Sequence, residues 1–272
     1  MQFTTKKIIF LHPNFIQLKI KRKSSNQLII NFMAKVNIFI PCCMDMFSPS
    51  VSNSVIAVLE RLGDEVIYNA EQTCCGRRFY QTGEVELAKQ LAEKLILEYD
   101  LKYPLVVPTT SCVGYIKNYF KELLENSAEV NMLRTFTKNI HELCYYIVNI
   151  KAIEKLNNVF NHRVFYFKSC SARNLYKLDD EPELLLSNTQ GLDLLIAPDL
   201  NTCCGANSHF AFANPEVSDV LCNQIIARAY EMGAQYITST DVHCLQHIDA
   251  MLNTLDITLE TIHIADILLG EE

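Results

Sequence analysis

The sequence predicts an α/β protein made of two tandem modules, each a parallel sheet covered by helices, with a pseudo-twofold axis relating the two. Three observations lead to this prediction. Short apolar strands alternate with amphipathic helices, a register of cysteines occurs twice along the chain, and the cysteines follow directly after predicted strands. The first module is expected over residues 35–150 and the second over 151–272.

The elements of the first half follow from local pattern. The run "VNIFI" (36–40) is short, apolar and β-branched, as expected for a buried strand. Residues 49–62 predict an amphipathic helix that begins at Pro49 and ends before Gly63. The remaining predicted elements are a strand at 65–69, a helix at 84–98 and a strand at 104–108.

The second half repeats this alternation. Strands are predicted at "RVFYF" (163–167), "DLLIA" (193–197) and "QYITS" (235–239), and a long helix at 215–232. Strands that alternate with helices favour a Rossmann-like arrangement, in which parallel strands are joined by crossover helices.

The cysteines occupy equivalent stations in the two halves. "QTCCG" (72–76) and "NTCCG" (201–205) each carry two adjacent cysteines followed by glycine. The stations of the two halves are separated by offsets of 128, 129 and 132 residues, from 42 to 170, from 74 to 203 and from 112 to 244. Each half also closes on a similar phrase, "NIHELCYYI" and "TIHIADILL". The chain is therefore interpreted as two copies of one CCG module, joined near 150–162.

All six stations lie just past the carboxyl end of a predicted strand. In open parallel sheets that edge is where ligands bind, so the stations of each half are expected to converge in space. Eleven cysteines without a secretory signal peptide indicate metal or redox chemistry in preference to structural disulfides. The formal net charge of −7 disfavours a nucleic-acid partner, and the absence of an apolar run of ~18 residues predicts a soluble, cytoplasmic protein.

Residues 1–34 differ from the rest of the chain because they contain no acidic residue. We interpret them as a basic extension, either disordered or translated from a mis-assigned start codon, since Met33 opens a natural first strand. The basic residues of this segment are Lys6, Lys7, Lys19, Lys21, Arg22 and Lys23.

Each half offers four thiols, which as soft ligands suit Zn²⁺ or an iron–sulfur cluster. The spacing decides between these two only weakly. Structural zinc sites usually contain C-x₂₋₄-C knuckles, which are missing here, and adjacent thiolates are better suited to different irons of one cluster than to one tetrahedral ion. Gly76 and Gly205 permit a positive φ or a close approach of the backbone to a bulky cofactor, and loop N–H groups can donate to cluster sulfurs.

The double CCG, together with "PCCMDMFSP", "TSCVGYI" and "HIADIL", resembles the cysteine-rich (Fe–S)-binding CCG proteins over about Val36 to Leu269. The resemblance is greatest to the lactate-utilization members and more distant to the heterodisulfide reductases and the iron–sulfur subunit of glycolate oxidase. It implies one or two clusters, of 4Fe–4S type. The implied ligands are Cys42, Cys74, Cys75 and Cys112 in the first module and Cys170, Cys203, Cys204 and Cys244 in the second.

The resemblance also implies a function. The chain is expected to carry electrons, without a substrate pocket of its own, in a complex that oxidises L-lactate or a related 2-hydroxy acid to pyruvate. The implied partners are other lactate-utilization proteins, including a second iron–sulfur subunit, and an acceptor such as quinone or a membrane-linked carrier. A thiol–disulfide reductase subunit and a structural zinc scaffold are the alternatives.

Several other residues near the cysteine stations are candidates for supporting roles. Cys43 is an extra thiol beside Cys42, and His243 and His247 flank Cys244. The histidines are candidates for ligands or proton carriers, or for a polar start of a helix. Asp45 and Asp241 are interpreted as helix N-caps, Cys144 and Cys222 as core residues, and Arg77, Arg78 and Arg173 as loop charges that neutralise thiolates or remain exposed.

Overall fold

A computed structural model of the chain describes residues 17–21 and 29–270. Most of the predicted N-terminal extension, residues 1–16 and 22–28, lies outside this range. Gln17–Lys21 forms a strand, β1, that pairs antiparallel with the first half of β2 (Ile29–Ile38). The assignment of residues 1–34 to an extension remains a prediction.

The first module contains a four-stranded parallel sheet. β2 pairs with β3 on one side and with β4 on the other, and β5 follows β4, so the order is β3-β2-β4-β5. Its elements after β2 are α1 (Cys42–Phe47), α2 (Pro49–Arg61), β3 (Asp64–Tyr68), α3 (Arg77–Gln81), α4 (Val85–Glu98), β4 (Leu105–Val107), α5 (Thr110–Leu123), α6 (Val130–Asn139), β5 (Ile140–Glu142) and α7 (Leu143–Tyr145), which continues as a π-helical segment, Tyr146–Ile150.

The second module repeats this topology. Its four parallel strands have the order β7-β6-β8-β9, so in both sheets the first strand of the module lies between the second and the third. The predicted α/β fold of two parallel-sheet modules is confirmed. Its elements are β6 (Arg163–Tyr166), a π-helical segment at Ser171–Tyr176, α8 (Glu181–Ser187), β7 (Asp193–Leu195), α9 (Ser208–Ala213), α10 (Pro215–Glu231), β8 (Tyr236–Ser239), α11 (Val242–Leu252), β9 (Glu260–His263) and α12 (Ile264–Leu269).

The fourth strand of each sheet was missed by the sequence prediction. β5 and β9 are three and four residues long, and the sequences "IHE" and "ETIH" alternate too briefly to predict a strand. Both strands lie in the similar closing phrases of the two halves, which were read only as evidence of the duplication.

The two modules share one core. Buried side chains of α2, such as Val55 and Leu59, belong to the same apolar cluster as Ile264 and Leu268 of α12. Arg61 also donates from Nη1 to the carbonyl of Leu269 at 2.6 Å. Within the described part of the chain, no helix is long and apolar enough to cross a membrane.

Candidate metal centre

The four thiols of the first module form one row. Cys42 Sγ lies 3.6 Å from Cys74 Sγ, and Cys75 Sγ lies 3.4 Å from Cys112 Sγ. Cys74 and Cys75 are adjacent in the CCG turn and so join the two pairs. The segments that follow β2, β3 and β4 supply these thiols, with Cys42 at the start of α1 and Cys112 in the first turn of α5, which confirms that the stations converge at the carboxyl edge of the sheet.

The second module contains the same row. Cys170 Sγ lies 3.5 Å from Cys203 Sγ, and Cys204 and Cys244 are close enough for each to shift the pKa of the other. Cys203 and Cys204 are again the link between the two pairs. In both modules the first station therefore meets the first cysteine of the CCG turn, and the third station meets the second.

The glycine of each CCG turn has a positive φ. The φ values are 87° at Gly76 and 77° at Gly205, and each backbone N–H lies 3.4 Å from the first sulfur of its turn, Cys74 or Cys203. A Cβ on Gly205 would lie 2.9 Å from the carbonyl oxygen of Ser218, so a side chain there would collide with α10. The positive φ was predicted, and the close approach in the structure is to a packed helix.

Hydrogen bonding along each row favours one thiolate. The hydrogen bond that Cys42 donates is the main cause that lowers the pKa of Cys74, to about 2, and the same bond raises the pKa of Cys42 well above its usual value. Cys203 has the corresponding place in the second row, where the hydrogen bond that it shares with Cys170 lowers its pKa. A thiolate is the form of cysteine that ligates metals.

The rows run from the protein surface into the interior. Cys42 is exposed, whereas Cys75 and Cys112 are 3% exposed. Within the described residues all cysteines are free thiols. From the sequence, Cys144 and Cys222, which lie outside the rows, are interpreted as core residues. Both are fully buried, which confirms this interpretation.

A buried carboxylate joins the third stations of the two modules. Asp241 is 1% exposed and accepts hydrogen bonds from the hydroxyls of Thr109, Thr110 and Ser111 at 3.2, 3.3 and 3.1 Å. Burial by itself would raise the pKa of Asp241, but the hydrogen bond and charge of His243, and further positive charge nearby, hold it at about 2. The carboxylate is therefore ionised and ties the loop before Cys112 to the second module.

The predicted capping role of Asp241 is confirmed, since it also accepts from the backbone N–H of His243 at 3.2 Å as the N-cap of α11. The prediction missed the hydroxyl cluster that faces it. The signal was the run "TTS" at 109–111, three consecutive hydroxyls directly before a ligand station. The capping prediction for Asp45 was wrong, because Asp45 lies inside α1 and α2 has Ser48 at its N-cap position.

The two histidines of α11 have different surroundings. His243 Nδ1 lies 3.8 Å from Cys43 Sγ and 3.3 Å from Ser111 Oγ, at the junction of the two modules. His247 Nε2 instead lies 3.0 Å from Ser218 Oγ, which in turn donates to the carbonyl of Gly205. His247 thus buttresses the second CCG turn.

The two arginines near the rows also differ. Arg173 donates from Nη1 to the carbonyl of Lys168 at 2.6 Å and from Nη2 to that of Thr202, so its guanidinium holds two backbone segments together. Arg77, the first residue of α3, makes no hydrogen bond from its guanidinium to any residue that the structure describes. Burial would lower the pKa of Arg77, but the negative charges of Cys112, Asp241 and other nearby groups raise it.

The donor set fits a polynuclear metal group better than a single ion. Each row supplies four soft ligands, with a backbone N–H group at the turn, and thiolates are the ligands of iron–sulfur clusters. Over residues 17–21 and 29–270, no three Cys, His, Asp or Glu side chains surround a point where one metal ion could sit. The residues that would hold the group are the eight cysteines of the two rows.

Two segments of the chain, residues 36–117 and 164–249, match the family described as "Cysteine-rich domain" (CCG). The chain belongs to the CCG cysteine-rich domain family. Each matched segment contains one complete thiol row, so the two copies of the family domain coincide with the two modules of the structure.

Known CCG proteins resemble the chain over most of its length. Lactate utilization protein A of Bacillus pumilus is 29% identical over 234 residues, which cover 86% of this chain and 98% of that protein. Its counterpart in Oceanobacillus iheyensis is also 29% identical, over 86% of this chain and 96% of that protein.

Among solved structures, a hypothetical protein from Helicobacter pylori superposes with a TM-score of 0.62 at 13% identity and covers 88% of this chain. This chain spans about half of that one, 49%. At this identity the likeness shows the fold alone.

Proposed function

We propose that the chain is an iron–sulfur electron-transfer subunit of a complex that oxidises L-lactate, or a related 2-hydroxy acid, to pyruvate. The observation that carries the proposal is the pair of equivalent four-thiol rows, Cys42–Cys74–Cys75–Cys112 and Cys170–Cys203–Cys204–Cys244. The names of the relatives support lactate as the substrate of the complex.

The rows suit this role because of their placement. A bound iron–sulfur group would supply one-electron transfer, and the protein would set its potential through burial, charge and hydrogen bonds to sulfur. The accessible first thiols, Cys42 and Cys170, bring each row to the surface, where a partner can approach, while the buried third stations exclude water. We propose 4Fe–4S clusters, cytoplasmic location, and partners that include a second iron–sulfur subunit and a quinone or membrane-linked acceptor.

The deciding experiment is anaerobic purification followed by measurement of iron, acid-labile sulfide and zinc per chain, with an EPR spectrum. Iron and sulfide in equal amounts, with a cluster signal on reduction, are the expected result. Colourless protein with stoichiometric zinc, even after reconstitution with iron and sulfide, would establish the zinc scaffold instead.

The substrate assignment needs its own assay. Lactate-dependent reduction of the chain in the presence of its partner proteins is expected to fail in Cys74→Ser and Cys203→Ser, while Cys222→Ala, a buried cysteine outside both rows, retains it. Normal activity and iron content in both serine variants would refute the proposal. Direct reduction of a disulfide substrate by the chain would favour the thiol–disulfide reductase alternative.

A further inference from the structure

The two modules contact each other at two equivalent places. At each place, the segment that follows the first station of one module lies against the helix of the other module that carries the third station. The π-helical segment Ser171–Tyr176 lies against α5, and α1 lies against α11. Because the modules repeat the same topology, the two contacts are expected to be filled in the same way.

The contact with α5 is closely packed. A Cβ on Gly114 would lie 2.7 Å from Leu175 Cγ, so the side chain of Leu175 occupies the space that glycine leaves on the helix. Asn118 Nδ2 also donates to the carbonyl of Leu175 at 2.9 Å. The end of the π-helical segment is therefore fixed on α5.

The ring of Tyr176 completes this contact. Its hydroxyl accepts a hydrogen bond from the backbone N–H of Glu142 at 3.2 Å. Lys117 Nζ lies 5.6 Å from the centre of the ring, and the ring of Tyr145 meets it edge-on with 6.1 Å between the ring centres. An aromatic side chain thus fills the space between α5 and the end of β5.

The equivalent place beside α11 contains a cavity. α1 ends at Phe47, which is 70% exposed, and a cavity of about 620 Å³ remains between α1, α11 and the end of β9. This volume is within the usual range of ligand sites, about 300–1,000 Å³. Val242 and Leu245 supply apolar wall, and Gln246 stands at the position that corresponds to Gly114.

The walls of the cavity correspond to the neighbours of Tyr176 but carry different charges. Asp249 lies five residues after the third station of its module, as Lys117 does, and Asp266 lies three residues after the N-cap of α12, as Tyr145 does after the N-cap of α7. Both carboxylates line the cavity. A cation and an aromatic ring in one contact are therefore replaced by two carboxylates in the other.

No positive charge offsets these carboxylates within the cavity. None of the described residues that line it is a lysine or an arginine. His263, at its inner end, is neutral, because burial lowers its pKa and its Nδ1 accepts a hydrogen bond from the backbone N–H of Ala265 at 3.2 Å. An aromatic group that enters the cavity is therefore favoured if it carries or adjoins a positive charge.

We propose that this cavity docks a partner protein through an aromatic side chain that has a basic residue beside it. The ring takes the place that Tyr176 takes in the other contact, and the basic residue pairs with Asp249 and Asp266. Phe47 and its neighbour Met46, both 70% exposed, add apolar surface at the mouth, which suits a protein partner.

The inference goes beyond the proposed function and requires no metal on either row. It also gives the partner a position, because α1 begins at Cys42, the exposed thiol of the first row. A protein seated in the cavity lies against the helix that carries this thiol.

Peptides that contain tryptophan make suitable probes, because the chain has no tryptophan of its own. The blocked pentapeptide Gly-Lys-Trp-Lys-Gly is titrated with the purified chain and followed by fluorescence anisotropy, with the uncharged Gly-Gln-Trp-Gln-Gly as its control. The charged peptide is expected to bind about tenfold more tightly at low salt, since two ion pairs contribute. Added salt should reduce the difference.

Variants locate the binding. Ser50 lines the cavity and Asn53 lies outside it on the same helix, and both are exposed. Ser50→Phe should block binding and Asn53→Phe should leave it unchanged. The double variant Asp249→Asn/Asp266→Asn should lose the preference for the charged peptide, while the exposed Asp256→Asn keeps it, and this pair decides the matter if Ser50→Phe does not fold.

Three results would overturn the inference: no saturable binding of the charged peptide at millimolar concentration, equal binding of the two peptides, or unchanged binding in folded Ser50→Phe. Tryptamine that binds as tightly as the peptide would make the cavity a small-molecule site and would also overturn docking. Protein that holds no iron and sulfide would refute the proposed function and leave this test unaffected.

Discussion

At the scale of single residues, the two glycines of the CCG turns differ from ordinary turn glycines. Gly63, which follows α2, has φ of 83° and nothing within 4 Å of an added Cβ. Gly205 combines φ of 77° with backbone of α10 within 3.0 Å of that position. The second CCG turn therefore requires glycine for two separate reasons, conformation and space.

Gly205→Ala is accordingly expected to destabilise the protein more than Gly63→Ala. The positive φ alone costs an alanine about 1–2 kcal/mol, and the collision with Ser218 adds to this in Gly205→Ala only. Urea denaturation of both variants, followed by circular dichroism, checks the order. Equal midpoints would mean that α10 moves aside without cost.

Glu142 at the end of β5 is a second special residue, because its carboxyl is 1% exposed. Burial, reinforced by the charge of Glu181, raises the pKa of Glu142 to about 8. The folded state therefore holds a proton that the unfolded state releases between about pH 4.5 and 8, so this group makes stability fall as pH rises through that window.

Glu142→Gln should remove this dependence. The slope attributable to one such group is up to about 1.4 kcal/mol per pH unit, so the free energy of unfolding of the variant should change less than that of the wild type between pH 5 and 8. Urea titrations at several pH values measure it, with exposed Glu86→Gln as the control. A wild-type slope retained in Glu142→Gln would assign it to another group.

At the scale of elements, the start of α11 is the joint between the modules. Its N-cap, Asp241, bonds three hydroxyls at the start of α5, and the backbone N–H of Thr110 donates to the carbonyl of Thr240 at 3.1 Å. One carboxylate thus positions the third station of both thiol rows, Cys112 and Cys244.

Asp241→Asn is expected to cost about 1.5–3 kcal/mol, the usual contribution of hydrogen bonds to a buried charge, because the amide presents a donor to hydroxyls that were donating. Hydrogen exchange should become faster in both the 109–112 and the 241–244 loops. The exposed Asp256→Asn is the control. Faster exchange in the second module alone would mean that Asp241 acts only as the N-cap of α11 and does not hold the two modules together.

At the scale of the whole molecule, the two rows are separate sites within one fold. Each is built by the three loops of its own sheet, while the shared core of α2 and α12 holds the sheets together. Loss of one row should therefore leave the other intact.

Single variants Cys75→Ser and Cys204→Ser are each expected to retain about half of the wild-type iron, and the double variant almost none. Iron and sulfide analysis after anaerobic purification measures this, with Cys144→Ala as the control for a buried cysteine outside the rows. Complete loss of iron in either single variant would mean one cluster shared between the modules.

The sequence by itself determined the fold class, the duplication and the edge of the sheet at which the cysteines meet. These features are encoded locally, in strand and helix periodicity and in the spacing of the "CCG" turns, and a parallel sheet places the ends of its strands together. The sequence also identified positive φ at Gly76 and the capping role of Asp241.

Only the tertiary structure decided which thiols are neighbours, that "TTS" at 109–111 faces Asp241, and that Arg173 donates to the carbonyls of Lys168 and Thr202. These contacts join segments that are tens to more than a hundred residues apart. They depend on how the loops of two packed sheets face each other, and no local pattern in the chain carries that information.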